Sequence, residues 1–301
     1  MKELFDKLSY KCSEITTKKY STSFSLGIKT LDDSLQQPIY NIYGFVRFAD
    51  EIVDSFHKYD KSKLLNKFRT DTKEAIAEKI SLNPILNSFQ FTFHKYNIDM
   101  QLVDKFLDSM FMDLESIKYD PEKYKKYIYG SAEVVGLMCL KVFVEGKNDL
   151  YESLKPHAMK LGSAFQKVNF LRDINSDLID LGRVYFPNID IKKFTTQDKI
   201  LIEKEIITEF KDALEGIKKL PLKSRAGVYL AYLYYFKLFK KIRANSTKEI
   251  FNKANEIWQT VDMASDFELV VIDNNEGING YCTKELDTID TDLLLTDCTH
   301  L

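Results

Sequence analysis

Two pairs of aspartates, each four residues apart, are the best placed groups in this chain to do chemistry. They are Asp50 and Asp54 in DEIVD, and Asp173 and Asp177 in DINSD. Residues i and i+4 share a helix face, so each pair points two carboxylates the same way. Alone, that arrangement is mildly repulsive. Magnesium makes it useful, because Mg²⁺ is held by one or two carboxylates while waters and substrate phosphates complete its octahedron. A lone DxxxD is usually a solvated helix face, but here the neighbours argue otherwise. Tyr43, Arg47, Asp50 and Asp54 form one stripe, flanked by Ile42, Phe45, Val46, Phe48, Ile52 and Val53. Gln166, Asn169, Asp173 and Asp177 form a second, flanked by Phe165, Val168, Phe170, Leu171 and Ile174. A narrow polar stripe on an apolar helix suits a helix buried on most sides, with the stripe facing a cavity. Arg172 and Arg183 flank the second pair, and arginine clamps phosphate oxygens in bidentate fashion. For Arg183 alone, a structural salt bridge is an equally good reading. Together these residues describe a site for a diphosphate with magnesium. No Walker P-loop or GxGxxG is present, which excludes both common nucleotide folds.

Long helices must carry such stripes, and the composition supplies them. The 301 residues include only 11 Gly and 6 Pro, well under the average of roughly 12% for the two together. That scarcity of turn formers excludes a sandwich, a barrel or a disordered chain. Helical periodicity runs through the first segment (Leu4, Phe5, Leu8, Cys12) and through 39–56, which Pro38 can open. It continues at about 61–80, 84–95, 98–117, 122–144, 149–180, 197–219, 222–243 and 247–260. Pro84, Pro121 and Pro221 stand near helix starts, and Gly146 and Gly182 near ends. Only 184–186 and 269–272 look strand-like. Residues 1–260 read as one all-α domain.

The net charge of −2 hides an asymmetry: from Asp262 onward there are ten acids and one lysine, so the preceding residues are net basic. Residues 261–301 are expected to form an acidic, poorly ordered tail. The near-neutral total gives no case for nucleic acid binding. Cys12, Cys139, Cys282 and Cys298 show no paired spacing, which predicts reduced thiols in a cytoplasmic protein. The opening MKELFDKLSYKCSE lacks the apolar run of a signal peptide. No segment approaches the roughly 18 apolar residues of a membrane span. Peripheral contact with the inner face of the cell membrane is expected; Val228–Phe239 is a candidate surface helix for it, although a core helix is the better reading of that segment.

At these residues the sequence resembles the squalene/phytoene synthase family, the head-to-head isoprenyl diphosphate synthases. STSFS (Ser21–Ser25) is similar to the family's S-x-S-F element. IYGFVRFADEIVD (Ile42–Asp54) is similar to its Y-x-x-x-R-x-x-D-x-x-x-D. KYIYGSAEVVGLM (Lys126–Met138) and GSAFQKVNFLRDINSDLIDLGRVYFP (Gly162–Pro187) follow in the family's order. The resemblance implies a single-domain, all-α isoprenoid synthase fold around a central apolar cavity. It implies that Asp50, Asp54, Asp173 and Asp177, with Asn169 close by, hold Mg²⁺, for which Mn²⁺ can substitute. Arg47 and Arg172 would contact phosphate; Ser21, Phe24, Tyr43 and Gln166 would line the substrate pocket. Tyr127 matches a catalytic tyrosine near the ionising centre, although a core aromatic is the plainer reading of one Tyr among 17.

The implied reaction is condensation of two geranylgeranyl diphosphates to phytoene in carotenoid biosynthesis, with no obligatory protein partner. The competing readings are dehydrosqualene or squalene synthesis from farnesyl diphosphate, and a non-catalytic relative. A head-to-tail prenyltransferase is disfavoured because Asp32-Asp33 lacks the following aspartate of DDxxD. Three features depart from the family. Asn175-Ser176 lowers the charge of the second motif, Glu133 stands where many members have a small residue, and the acidic tail replaces basic helical sequence.

Overall fold

Short polar side chains ahead of apolar periods start most of the helices. Asp32, Asp60, Asn83, Asp99, Asp120 and Thr195 each accept a backbone N–H of the following first turn, satisfying donors that a helix start leaves orphaned. Pro84 and Pro121 stand directly after their caps, where a missing N–H costs nothing. The computed structural model describes residues 1–115, 119–180, 185–187, 194–247 and 249–250, without the side chains of 22, 23 and 175–180. In chain order the helices are α1 (Lys2–Tyr20), α2 (Thr22–Lys29), α3 (Asp33–Asp54), α4 (Lys61–Glu78), α5 (Pro84–Lys95) and α6 (Met100–Asp113). After α7 (Pro121–Ile128) comes a π-helical turn (Tyr129–Glu133), then α8 (Val134–Phe143), α9 (Asn148–Asp180), α10 (Thr196–Lys219) and α11 (Leu222–Ala244). No strand occurs among the described residues.

The all-α expectation holds, with local corrections. Pro38 does not open α3; the helix starts at Asp33 because Asp32 caps it by accepting from the Ser34 N–H at 3.0 Å, and Pro38 sits inside. The hydroxyl-rich stretch after Tyr20 is itself helical, with Ser21 as the cap of α2. The single helix expected over 122–144 is interrupted by the π-turn. There the backbone is clasped on two sides: a Cβ on Gly130 would lie 2.7 Å from the Lys105 carbonyl of α6, and one on Gly162 of α9 would lie 2.8 Å from the Ala132 carbonyl. Tyr185 and Phe186 form no strand. Residues 269–272, most of 247–260, Gly182, Arg183 and the acidic segment 261–301 lie outside the described residues.

α3 is apolar almost all round because it serves two interiors. One face enters an aromatic core, where Phe45 stacks on Phe89 (centroids 4.0 Å apart) and meets Phe68 and Phe106. The opposite face, with Tyr43, Val46, Arg47 and Asp50, lines a cavity. α1 also packs on α3, but with Ser9, Ser13 and Thr17, all fully buried. The helical period read at Leu4 and Leu8 is correct, yet these side chains face outward. Among the described residues, no helix is long and apolar enough to cross a membrane.

Candidate active site

A cavity of about 430 Å³ is enclosed by α2, α3, the π-turn and α8 to α11, within the range of roughly 300–1,000 Å³ common for ligand pockets. α9 runs along its length. Leu154, His157, Leu161, Phe165, Gln166 and Asn169 all line it. The twelve residues from His157 to Asn169 span about 18 Å at 1.5 Å per residue. Most of the wall is apolar: Ile28, Leu31, Ile39, Val135, Leu140, Ile217 and Val228 are among its residues. Tyr43, Arg47 and Asp50 of α3 and Gln166 and Asn169 of α9 supply polar side chains to this lining, and Tyr235 links the two sets, interacting with Tyr43 and hydrogen-bonded to Asn169.

This polar set is charged and incompletely paired. Arg47 donates from Nη2 to Glu51 at 2.5 Å and lies over the Tyr20 ring at 4.4 Å. Its Nε is buried without a hydrogen-bond partner. Burial, then repulsion from Asp54, pushes the Asp50 carboxyl up to about 7 despite the nearby Arg47. Burial pushes the Tyr43 hydroxyl up to about 12. Arg172 donates from Nε and Nη2 to the two oxygens of Asp173, at 2.8 and 2.5 Å, and from Nη1 to Asn169 Oδ1 at 2.7 Å. One guanidinium thereby joins the two α9 residues that precede Asp177, whose side chain is outside the described set. Phe24 sits between Tyr43 (6.0 Å) and Tyr235 (5.8 Å), and Tyr235 stacks on Phe165 at 4.0 Å.

The structure thus brings together Phe24, Tyr43, Arg47, Asp50, Gln166 and Asn169 in the lining of one cavity. Asp54 and Asp173 lie one turn beyond the lining, on α3 and α9. Ser21 caps α2, accepting from the Phe24 N–H at 3.1 Å. Tyr127 is off the cavity lining. Its hydroxyl donates to Asp113 Oδ2 at 2.8 Å, and its ring packs among Tyr119, Phe170 and Tyr185. Glu133 is also off the lining and faces Glu209, Lys160 and Lys167; burial, then Glu209, pushes it up to about 7. Cys139 does line the cavity as a free thiol, and burial holds it protonated. Sequence reasoning missed Tyr235 and His157. Gly227, Val228, Ala231 and Tyr235 form a lining stripe along α11, a helical period that the segment's general apolarity concealed.

Among the described residues no three of His, Cys, Asp or Glu converge to cage an ion. The donor set still fits magnesium. Asp50 accepts no hydrogen bond and is raised by its like-charged neighbour, a cost that a divalent cation removes. Mg²⁺ also needs few protein ligands when substrate phosphates bind it.

The sequence pattern of squalene/phytoene synthase matches residues 17–257. The chain belongs to the squalene/phytoene synthase family. It is 25% identical over 275 residues to phytoene synthase 1 of Zea mays, covering 84% of this chain and 65% of that one. The phytoene synthase of Arthrospira platensis is 25% identical over 270 residues, covering 81% of this chain and 87% of its own. This chain therefore spans just under two thirds of the maize relative. Among solved structures, the fold is like that of a dehydrosqualene synthase crystallised with ligand, with a TM-score of 0.70, 20% identity and coverage of 84% and 98%. It is also like squalene synthase HpnC from Alicyclobacillus acidocaldarius, with a TM-score of 0.69, 21% identity and coverage of 79% and 94%. The family is one of prenyltransferases, and these likenesses establish the isoprenoid synthase fold.

Proposed function

We propose that this chain condenses two geranylgeranyl diphosphates head to head, giving phytoene and two diphosphates. The observation that carries this reading is the cavity's polarity. An apolar chamber has its charged end at a half-buried arginine, whose Nε–H is buried and unpartnered, and a half-buried carboxylate without a hydrogen bond. That end fits a diphosphate with its counter-cation, and the chamber fits a prenyl chain. The phytoene synthase relatives support the longer substrate.

Arg47 and Arg172 would bind diphosphate oxygens, and Asp50, Asp54, Asn169, Asp173 and Asp177 would hold Mg²⁺. The ion supplies Lewis-acid stabilisation of a departing diphosphate. The chain's own part begins with orientation. Tyr43, Gln166 and the arginines hold the diphosphate at the polar end, so the allylic carbon enters the apolar chamber. Its C–O bond breaks and the electron pair leaves with the diphosphate. The aromatic faces of Phe24, Phe165 and Tyr235 stabilise the allylic cation without capturing it, and the apolar wall excludes water. The alkene of the second substrate attacks; proton loss gives a cyclopropylcarbinyl diphosphate. A second ionisation, rearrangement and proton loss yield the linear polyene.

The test is a product assay. Purified protein with Mg²⁺ is given geranylgeranyl or farnesyl diphosphate, with and without NADPH, and products are read by mass spectrometry. Phytoene from the longer substrate is expected. A C30 product from farnesyl diphosphate as the main activity would overturn the substrate assignment. No diphosphate release from either substrate would overturn the reaction.

A further inference from the structure

α1 is built inside out. Its packed face is Ser9, Ser13 and Thr17, each with no solvent exposure. Their hydroxyls are used: Asn87 donates to Ser9 Oγ at 3.1 Å, Ser13 and Ser88 share a hydrogen bond of 2.6 Å, and Thr17 donates to the Ser13 carbonyl at 2.9 Å. The apolar side chains point the other way, with Leu4 at 72% exposure, Leu8 at 58% and Ile15 at 49%. At 3.6 residues per turn these three fall within about 40° of arc, roughly 160° from the packed face. A helix buried for stability alone would have the reverse pattern.

We propose that this outward stripe docks the protein on an anionic lipid surface. Lysines frame it: Lys11 and Lys18 border one side, exposed and sharing the one carboxylate of Glu14, and Lys19 the other, while Glu3, Asp6 and Glu14 lie about 100° or more from its centre. An interfacial helix has this pattern, with apolar side chains entering the headgroup boundary and lysine ammonium groups meeting lipid phosphates. A second copy of the chain is a poorer occupant. Two apposed stripes would bring the lysines of both copies together, and like charges repel. The position also suits a protein that handles prenyl chains. Tyr20, at the end of α1, lies under Arg47 of the cavity's polar end, so the helix that docks is also in contact with that end. Val228–Phe239 is largely interior, as the core-helix reading of that segment has it: Tyr232, Tyr235, Leu238 and Phe239 are buried. The proposal stands on α1 and not on the reaction proposed above.

Co-sedimentation of the full chain with phosphatidylcholine vesicles, with and without 30% phosphatidylglycerol, tests it. Binding to the anionic vesicles is expected, and it should weaken severalfold in high salt. The combined variant Leu4→Ser/Leu8→Ser/Ile15→Ser should lose at least tenfold in binding while its circular dichroism, melting temperature and diphosphate release in vesicle-free buffer stay unchanged. Lys11→Glu/Lys19→Glu should lose the preference for anionic lipid. No vesicle binding by the native chain, or undiminished binding by the serine variant, would overturn the proposal. So would a native dimer that the serine variant converts to monomer without any lipid binding. Diphosphate release read in parallel separates failure of the docking surface from failure of the catalytic reading.

Discussion

Arg47 reaches along α3 to Glu51, donating at 2.5 Å, and leaves Asp50 between them without a hydrogen bond. The nearest cation is thereby committed to a different carboxylate. What remains is a half-buried acid that repels Asp54 and an arginine Nε–H with no acceptor. Both groups are costly in the empty protein and both are satisfied by a diphosphate with its cation.

Asp50→Asn should separate function from stability. Removing the unpaired charge should raise the stability of the metal-free protein by about 1 kcal/mol, seen as a higher melting temperature. The same change should cut Mg²⁺-dependent diphosphate release by about 100-fold or more. Full activity in this variant would remove Asp50 from the site.

Arg172→Lys tests the clamp on α9. A lysine cannot reproduce three directed hydrogen bonds to Asp173 and Asn169 from one planar group. The expected result is roughly a 10-fold or greater rise in the Mg²⁺ concentration needed for half-maximal activity. Unchanged magnesium dependence would show that Arg172 does not set the geometry of these ligands.

Tyr127→Phe asks whether the position implied by resemblance is chemical or structural. The hydroxyl is engaged by Asp113 in a closed aromatic cluster, away from the cavity lining. Loss of that bond should lower stability by about 1 kcal/mol, the net worth of a hydrogen bond, with turnover retained within severalfold. Loss of turnover with unchanged stability would restore the catalytic reading.

Gly216→Ala probes the far wall. An added Cβ would lie 2.3 Å from the His157 Cβ. His157 would have to move, releasing the bond its Nδ1–H makes to the Asp212 carbonyl at 2.7 Å. A loss of about 1–3 kcal/mol is expected, together with a shift in preference toward the shorter prenyl diphosphate. A variant as stable as the native chain would contradict the contact.

Glu133→Gln has a pH signature. Burial, then Glu209, raises the folded pKa from 4.5 to about 7, against Lys160 and Lys167. The folded state therefore keeps a proton that the unfolded state has lost. Glu133 costs nothing below about pH 4.5, lowers stability progressively as pH rises toward 7, and exerts its full cost above that. The variant should match the native chain at pH 4 and exceed it by roughly 1–2 kcal/mol at pH 8, allowing for solvent screening. Denaturant unfolding at both values checks this; parallel profiles would contradict it.

Helix type, the starts at Pro84 and Pro121, and the pairing of Asp50 with Asp54 were all legible in the sequence. They rest on local terms: capping, proline geometry and the 3.6-residue period act within a turn or two of the chain. The stripe Tyr43–Arg47–Asp50 was legible for the same reason. Which face each helix buries was decided only by tertiary packing. α1 shows this most directly, because its period marks a helix while its hydroxyls, matched to Asn87 and Ser88 of α5, choose the inward side. Tyr127 and Glu133 were named from the chain, but their surroundings come from other helices, through Asp113 of α6 and Glu209 of α10. The cavity itself belongs to that second class: its wall draws on seven helical elements from Phe24 to Tyr235. No local rule reports a contact between side chains two hundred residues apart, so the chamber and its unpaired polar end exist only in the folded molecule.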